Sequence, residues 1–155
     1  MGTISKDFSY KEFEVTDHPG FKFKNMIASM EIRDSVKALV NNVLQPLRDA
    51  WGKPLHINSG YRCMELNKAV FGAATSQHLK GEAADVCPYG NRNTAGDPDV
   101  VLQLAQLAYD MKLPFDQMIL YPTFVHFSHK SDGKQRGQIL YSKNYKGEKV
   151  NMKQS

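Results

Sequence analysis

Ser76-Gln77-His78-Leu79-Lys80-Gly81-Glu82-Ala83-Ala84-Asp85, followed much later by Phe124-Val125-His126-Phe127-Ser128, is the part of the chain from which the rest can be read. A histidine and an aspartate seven positions apart, joined by a histidine inside an apolar run, offer N, O and N donors. These are the ligand types of a catalytic zinc, and three protein ligands leave the fourth tetrahedral position to a water. The donor set points away from calcium and magnesium, which prefer oxygen shells, and away from thiolate-seeking metals, because neither cysteine is needed.

Working outward, Ser9-Tyr10-Lys11-Glu12 has capping-box spacing and predicts a short helix to about Val15. The stretch 17–25, with Pro19 and Gly20, reads as loop. From Glu31 to Trp51 the apolar residues Ile32, Val36, Leu39, Val40, Val43, Leu44 and Leu47 recur at helical spacing. Pro46 is expected to kink that helix or mark its last turns, and Gly52-Lys53-Pro54 to stop it. Residues 55–60 read as a strand, 64–70 as a short helix, 70–77 as a loop delivering His78, and 82–87 as a second strand. Asp97-Pro98-Asp99 opens another helix whose apolar face is Val100, Val101, Leu104, Leu107, Ala108 and Met111. Strands at 117–121 and 124–128 are spaced for a hairpin, and one near 138–141 is expected to complete an antiparallel sheet. The fold class predicted is α+β, a small antiparallel sheet packed against helices in one domain spanning 1–155.

At 155 residues, 41% hydrophobic and 23% charged, the chain has enough apolar material for a core without disulfides or disorder. A net charge of +4 favours anionic partners. The cations are scattered and no nucleic-acid-binding motif accompanies them, so charge alone supports a nucleic-acid partner weakly. Cys63 and Cys87 read as small buried hydrophobes, or as a pair meeting across the sheet. The amino terminus lacks the apolar core of a signal peptide and no run approaches a membrane span, so a product made in the cytoplasm and delivered to its substrate by other means is expected.

Ser59-Gly60-Tyr61-Arg62 with Leu66-Asn67, then Ser76-Gln77-His78 through Asp85, then Phe115-Asp116-Gln117 and Val125-His126-Phe127-Ser128 together resemble the zinc D-Ala-D-Ala carboxypeptidase family. That family includes vancomycin-resistance dipeptidases and phage endolysins and shares its fold with the amino-terminal domain of hedgehog proteins. The resemblance runs from about Phe8 to Lys130 and rests on an ordered set of motifs, far more specific than one His-x6-Asp. It implies Zn2+ as cofactor, His78, Asp85 and His126 as its ligands, and Arg62 as the residue that holds substrate and stabilises the oxyanion. It implies peptidoglycan stem peptide as substrate and action at the cell wall; no nucleic-acid partner and a monomer are expected.

One part of the pattern departs. Members of the family place a carboxylate three or about six residues before the last zinc histidine, to take the proton of the attacking water. Here those positions are Thr123 and Leu120, and aligned from Phe115-Asp116-Gln117 the glutamate of related endolysins falls on Tyr121. A tyrosine donates a hydrogen bond but, with a reference pKa near 10, is a poor base. Asp116 is the nearest carboxylate, although strand alternation puts it opposite Tyr121. Glu82 and His129 meet the same objection, and Glu82 reads as solvent-facing. Apart from the resemblance, His126 reads as a satisfied core histidine, Arg62 as a surface cation pairing with Glu65, and Tyr121 as a packing aromatic. His18 and His56 are read as unrelated to the metal. The reading is a zinc peptidase acting on a stem-peptide bond, its rival a silent wall-binding protein that kept the metal and lost the base.

Overall fold

The protein is described by a computed structural model covering residues 2–88 and 98–152. Asp97, the expected cap of the late helix, lies outside the described residues. The periodic stretch forms helices α1 (Met30–Leu39) and α2 (Gln45–Trp51), joined without a break by a π turn, Val40–Leu44. The Ser29 hydroxyl caps α1 by accepting from the Ile32 N–H. The π turn answers the problem Pro46 sets: the Gln45 N–H donates to Val40 O, five residues back, so the chain widens there and stays helical past the proline.

Strands β1 (Leu55–Ser59), β2 (Ala83–Pro88), β3 (Gln117–Leu120), β4 (Val125–Ser128) and β5 (Gln138–Tyr141) form one sheet in the order β1-β2-β4-β3-β5. Helix α3 (Met64–Ala69) follows β1, and α4 (Pro98–Asp110) precedes β3. The α+β class stands, with one correction: β5 pairs with β3 in parallel, Gln117 opposite Gln138 and Leu120 opposite Tyr141. The sheet is therefore mixed. The return loop crosses from the end of β4 back to the start of β3, where the Gln138 N–H donates to Asp116 O.

Alternation divides the sheet cleanly. Ala84, Val86, Met118, Leu120, Val125 and Phe127 point to one face and are fully buried against Val36, Leu39, Val40, Val43, Leu44 and Leu47 of the long helix and Val101, Leu104, Ala105 and Ala108 of α4. Each large aliphatic side chain so buried contributes roughly 1.5–3 kcal/mol. Val100, Leu107 and Met111, expected on the buried face of α4, lie at its margin instead, Met111 being 36% exposed. On the other face stands one row across three strands, Asp85 opposite His126 opposite Ile119.

The N-terminal segment braces that face. Its capping box forms, Glu12 accepting from the Ser9 N–H, but the turn it opens is a 3-10 turn that ends at Phe13. Asn25, fully buried, donates to Glu14 O and Tyr61 O and accepts from the Cys63 N–H, and the Tyr61 N–H donates to Phe13 O. The loop carrying Arg62 is thus clamped from both sides. Cys63 and Cys87 are buried and form no disulfide with each other.

Candidate metal centre

His78 sits in a 3-10 turn, Gln77–Lys80, that begins with the Ser76 hydroxyl accepting from the His78 N–H and ends at Gly81. Gly81 has φ +72°, and a Cβ there would lie 2.9 Å from side-chain atoms of Ile32 and Val36, so the turn seats directly on α1. The ring of His78 is buried, and its Nδ1 is 2.6 Å from Gly60 O. A carbonyl only accepts, so Nδ1 carries the proton and Nε2 keeps its lone pair, the outer hydrogen bond that orients a metal-ligating histidine. Nε2 lies 3.4 Å from Asp85 Oδ1, and His126 Nδ1 lies 2.9 Å from the same oxygen.

The three donor atoms are all within 4.8 Å of one another. Burial holds the His78 imidazole below its ordinary pKa, outweighing the Asp85 charge beside it, so the ring is neutral. Burial pushes the Asp85 carboxyl upward, but His78 and His126 more than reverse this and hold it far below the usual range. A neutral imidazole with its tautomer fixed, a second imidazole and an ionised carboxylate are what a divalent zinc requires, and the residues fit it.

Arg62 follows the strand that ends beside Asp85. Between Ile57 and Ser59 the β1 register slips by one residue against β2, a bulge that turns the chain toward the site. The Arg62 N–H donates to His78 O, and Nη1 donates to Asn67 Oδ1 at 3.2 Å, not to Glu65. Its Nε is buried with no hydrogen-bond partner. Burial lowers the guanidinium's pKa, opposed by Asp85 and Tyr121, and it stays charged. Gly72 makes this placement possible: a Cβ there would fall 2.1 Å from Asn67 Oδ1 and 2.8 Å from Arg62 Nη1.

A groove enclosing about 570 Å3 lies over the row, lined among others by Arg62, Gln77, Tyr121 and Arg136 together with His78, Asp85 and His126. A second pocket of about 290 Å3 shares Arg62 and Asp85 with it and is closed by Asp17 and His18. Tyr121 stacks on Phe124, with ring centroids 4.4 Å apart, and burial together with the Asp85 charge raises its pKa, so it is a neutral hydroxyl donor.

Asp116 is brought elsewhere. Its side chain is fully buried and both oxygens are taken by Arg136, Nε at 3.0 Å and Nη2 at 2.7 Å, with the Arg136 N–H as a third donor. It is not among the residues lining either pocket. Glu82 also differs from its solvent-facing reading: it is 5% exposed and accepts from the Ser131 N–H and hydroxyl. His129 Nδ1 is buried away from the metal ligands' hydrogen bonds. Arg136 and Gln77, which line the groove, were not singled out from the sequence, and His18, set aside there, lines the adjoining pocket; the signal that places all three is tertiary.

No curated protein matches the chain. The peptidase M15 family model matches residues 6–127, from the brace through His126, and the chain belongs to that family.

Proposed function

We propose that the protein is a zinc peptidase that hydrolyses a peptidoglycan stem-peptide bond involving a D-amino acid. The observation that carries this is the convergence of His78, Asp85 and His126 with the Arg62 guanidinium on one groove of about 570 Å3. Bound zinc supplies an acidified water and polarisation of a carbonyl. The chain's own residues do the rest. Arg62, desolvated and held by Asn67, donates to the carbonyl oxygen as negative charge develops there. The Tyr121 hydroxyl, kept protonated, supplies a second donor lining the same groove.

The proton of the attacking water needs an acceptor. Asp116 is committed to Arg136, and the loop of Asp17 and His18 lines the adjoining pocket that shares Arg62 and Asp85 with the groove, so we assign the role to that loop with His18 as the residue to test. A second reading, a metal-holding wall-binding protein without turnover, draws on the same commitment of Asp116. A zymogram on cell walls with EDTA and with added zinc, followed by mass analysis of released muropeptides, separates the two. Zinc-dependent release of new amino groups supports the peptidase; wall binding that survives EDTA with no release supports the silent protein. His18→Ala lowering kcat with zinc retained supports the proton assignment, and unchanged kcat removes it.

A further inference from the structure

Arg136 is an unusual ion-pair partner for a fully buried carboxylate, because its own side chain is 48% exposed and lines the groove. Part of the attraction goes to offsetting the cost of taking Asp116 out of water. What it fixes is direction. The fork uses the Nε–H and one Nη2–H, which leaves three of the five guanidinium N–H groups unspent on Asp116. Asp116 is itself immovable, its N–H donating to Ser128 O and its carbonyl accepting from the Gln138 N–H.

The placement relative to the metal row follows from the register. Ile119 stands beside His126, and Gln117 lies two residues further along β3, about 7 Å away. Gln117 is paired with Gln138, and Arg136 precedes Gln138 by two residues. The groove therefore carries one guanidinium at the metal end and another several residues away toward the start of β3, and among the described residues its lining carboxylate is Asp85, which the metal claims. Planar, prealigned guanidinium N–H groups match a carboxylate.

We propose that Arg136, aimed by Asp116, is a carboxylate-binding subsite that grips an anionic group of the substrate away from the bond cut. This rests on the peptidase reading and sharpens it. The carboxylate has two sources, a free internal carboxyl of the stem or the chain-terminal carboxyl, and these correspond to cutting within the stem and trimming its end.

The test uses zinc-loaded protein and three synthetic stem peptides: the free acid, the same peptide amidated at the internal carboxyl, and the same peptide amidated at the terminus. Binding is measured by calorimetry and turnover separately. The parent is expected to bind the free acid about 10-fold more tightly than one of the amides, the amide identifying the source. Arg136→Gln brings acid and amides to within about twofold of one another, and Arg136→Lys restores part of the preference. Equal binding of all three by the parent, no binding of any, or a preference that persists in Arg136→Gln overturns the proposal. A preference without cleavage keeps the subsite and removes the hydrolase; cleavage without a preference does the reverse.

Discussion

Asp85 and Asp116 are two carboxylates on one sheet, each held below its ordinary pKa, and they do opposite things because of what holds them. Asp85 faces two imidazoles, neither tied to it by a permanent charge, so its oxygen and their nitrogens can all turn to one cation. Asp116 faces a guanidinium that can never give up its proton, and every oxygen is taken. The lesson is that ionisation does not mark a carboxylate as reactive. The partner's ability to let go does.

The largest effect that would break this contrast is on the metal. The parent should carry about one zinc per chain, and His78→Ala or His126→Ala should lose both zinc and activity while staying folded, because the core is independent of the site. Elemental analysis with a melting curve reads it, and zinc content equal to the parent's would remove the ligand assignment. Next comes Arg62→Lys. If the guanidinium stabilises the oxyanion, kcat should fall about 100-fold at unchanged zinc content, and an unaltered kcat would make Arg62 structural.

Asp116→Asn tests the other half of the contrast. Removing the charge that Arg136 partly shields should cost about 2 kcal/mol, a drop of roughly 4–8 °C in melting temperature, with zinc retained. The hydrogen bonds from Arg136, opposed by burial, lower the Asp116 pKa in the folded state. Its stabilisation is therefore complete above the unfolded pKa of about 3.9 and is lost as pH falls through the lower folded value. The parent's stability should accordingly drop more steeply in that acid range than the variant's, and parallel curves would show that the pair contributes nothing. The smallest effect is at Tyr121. Tyr121→Phe should cost roughly 10-fold in kcat if the hydroxyl donates in the transition state and less than a few-fold if the ring only stacks. If the parent is slow for want of a carboxylate, Tyr121→Glu should raise turnover and add an acid-limb pKa; if the parent is fast and Tyr121→Glu is inactive, the proton acceptor already stands elsewhere.

What could be read from the sequence were features fixed by short-range chemistry. The metal set lies on strand alternation and one tight turn, so spacing alone assembles His78 with Asp85 and aims His126. The long helix follows from its apolar period. The features that escaped depend on distant pairings. Whether β5 runs parallel is decided by a loop of nine residues returning to β3, and nothing local to Gln138–Tyr141 encodes direction. Pro46 shows where a kink is possible, but the π turn that absorbs it depends on burying Val40, Val43 and Leu44 together. Alternation set Asp116 and Glu82 on the face away from Tyr121 and Asp85, but it gives a face and not a partner. Arg136 and Ser131 claim them from a loop without periodicity.

Gly72 carries a consequence for how this family varies. Position 72 touches neither metal nor substrate by any chemistry of its own, having no side chain, yet the space a methyl group would take there is occupied by Arg62 and the asparagine that holds it. A substitution at this loop position would shift the guanidinium without altering any residue named in a catalytic motif. The placement of Arg62 thus depends on an empty volume as much as on the residues that bond it, and one added carbon would displace it with every motif intact.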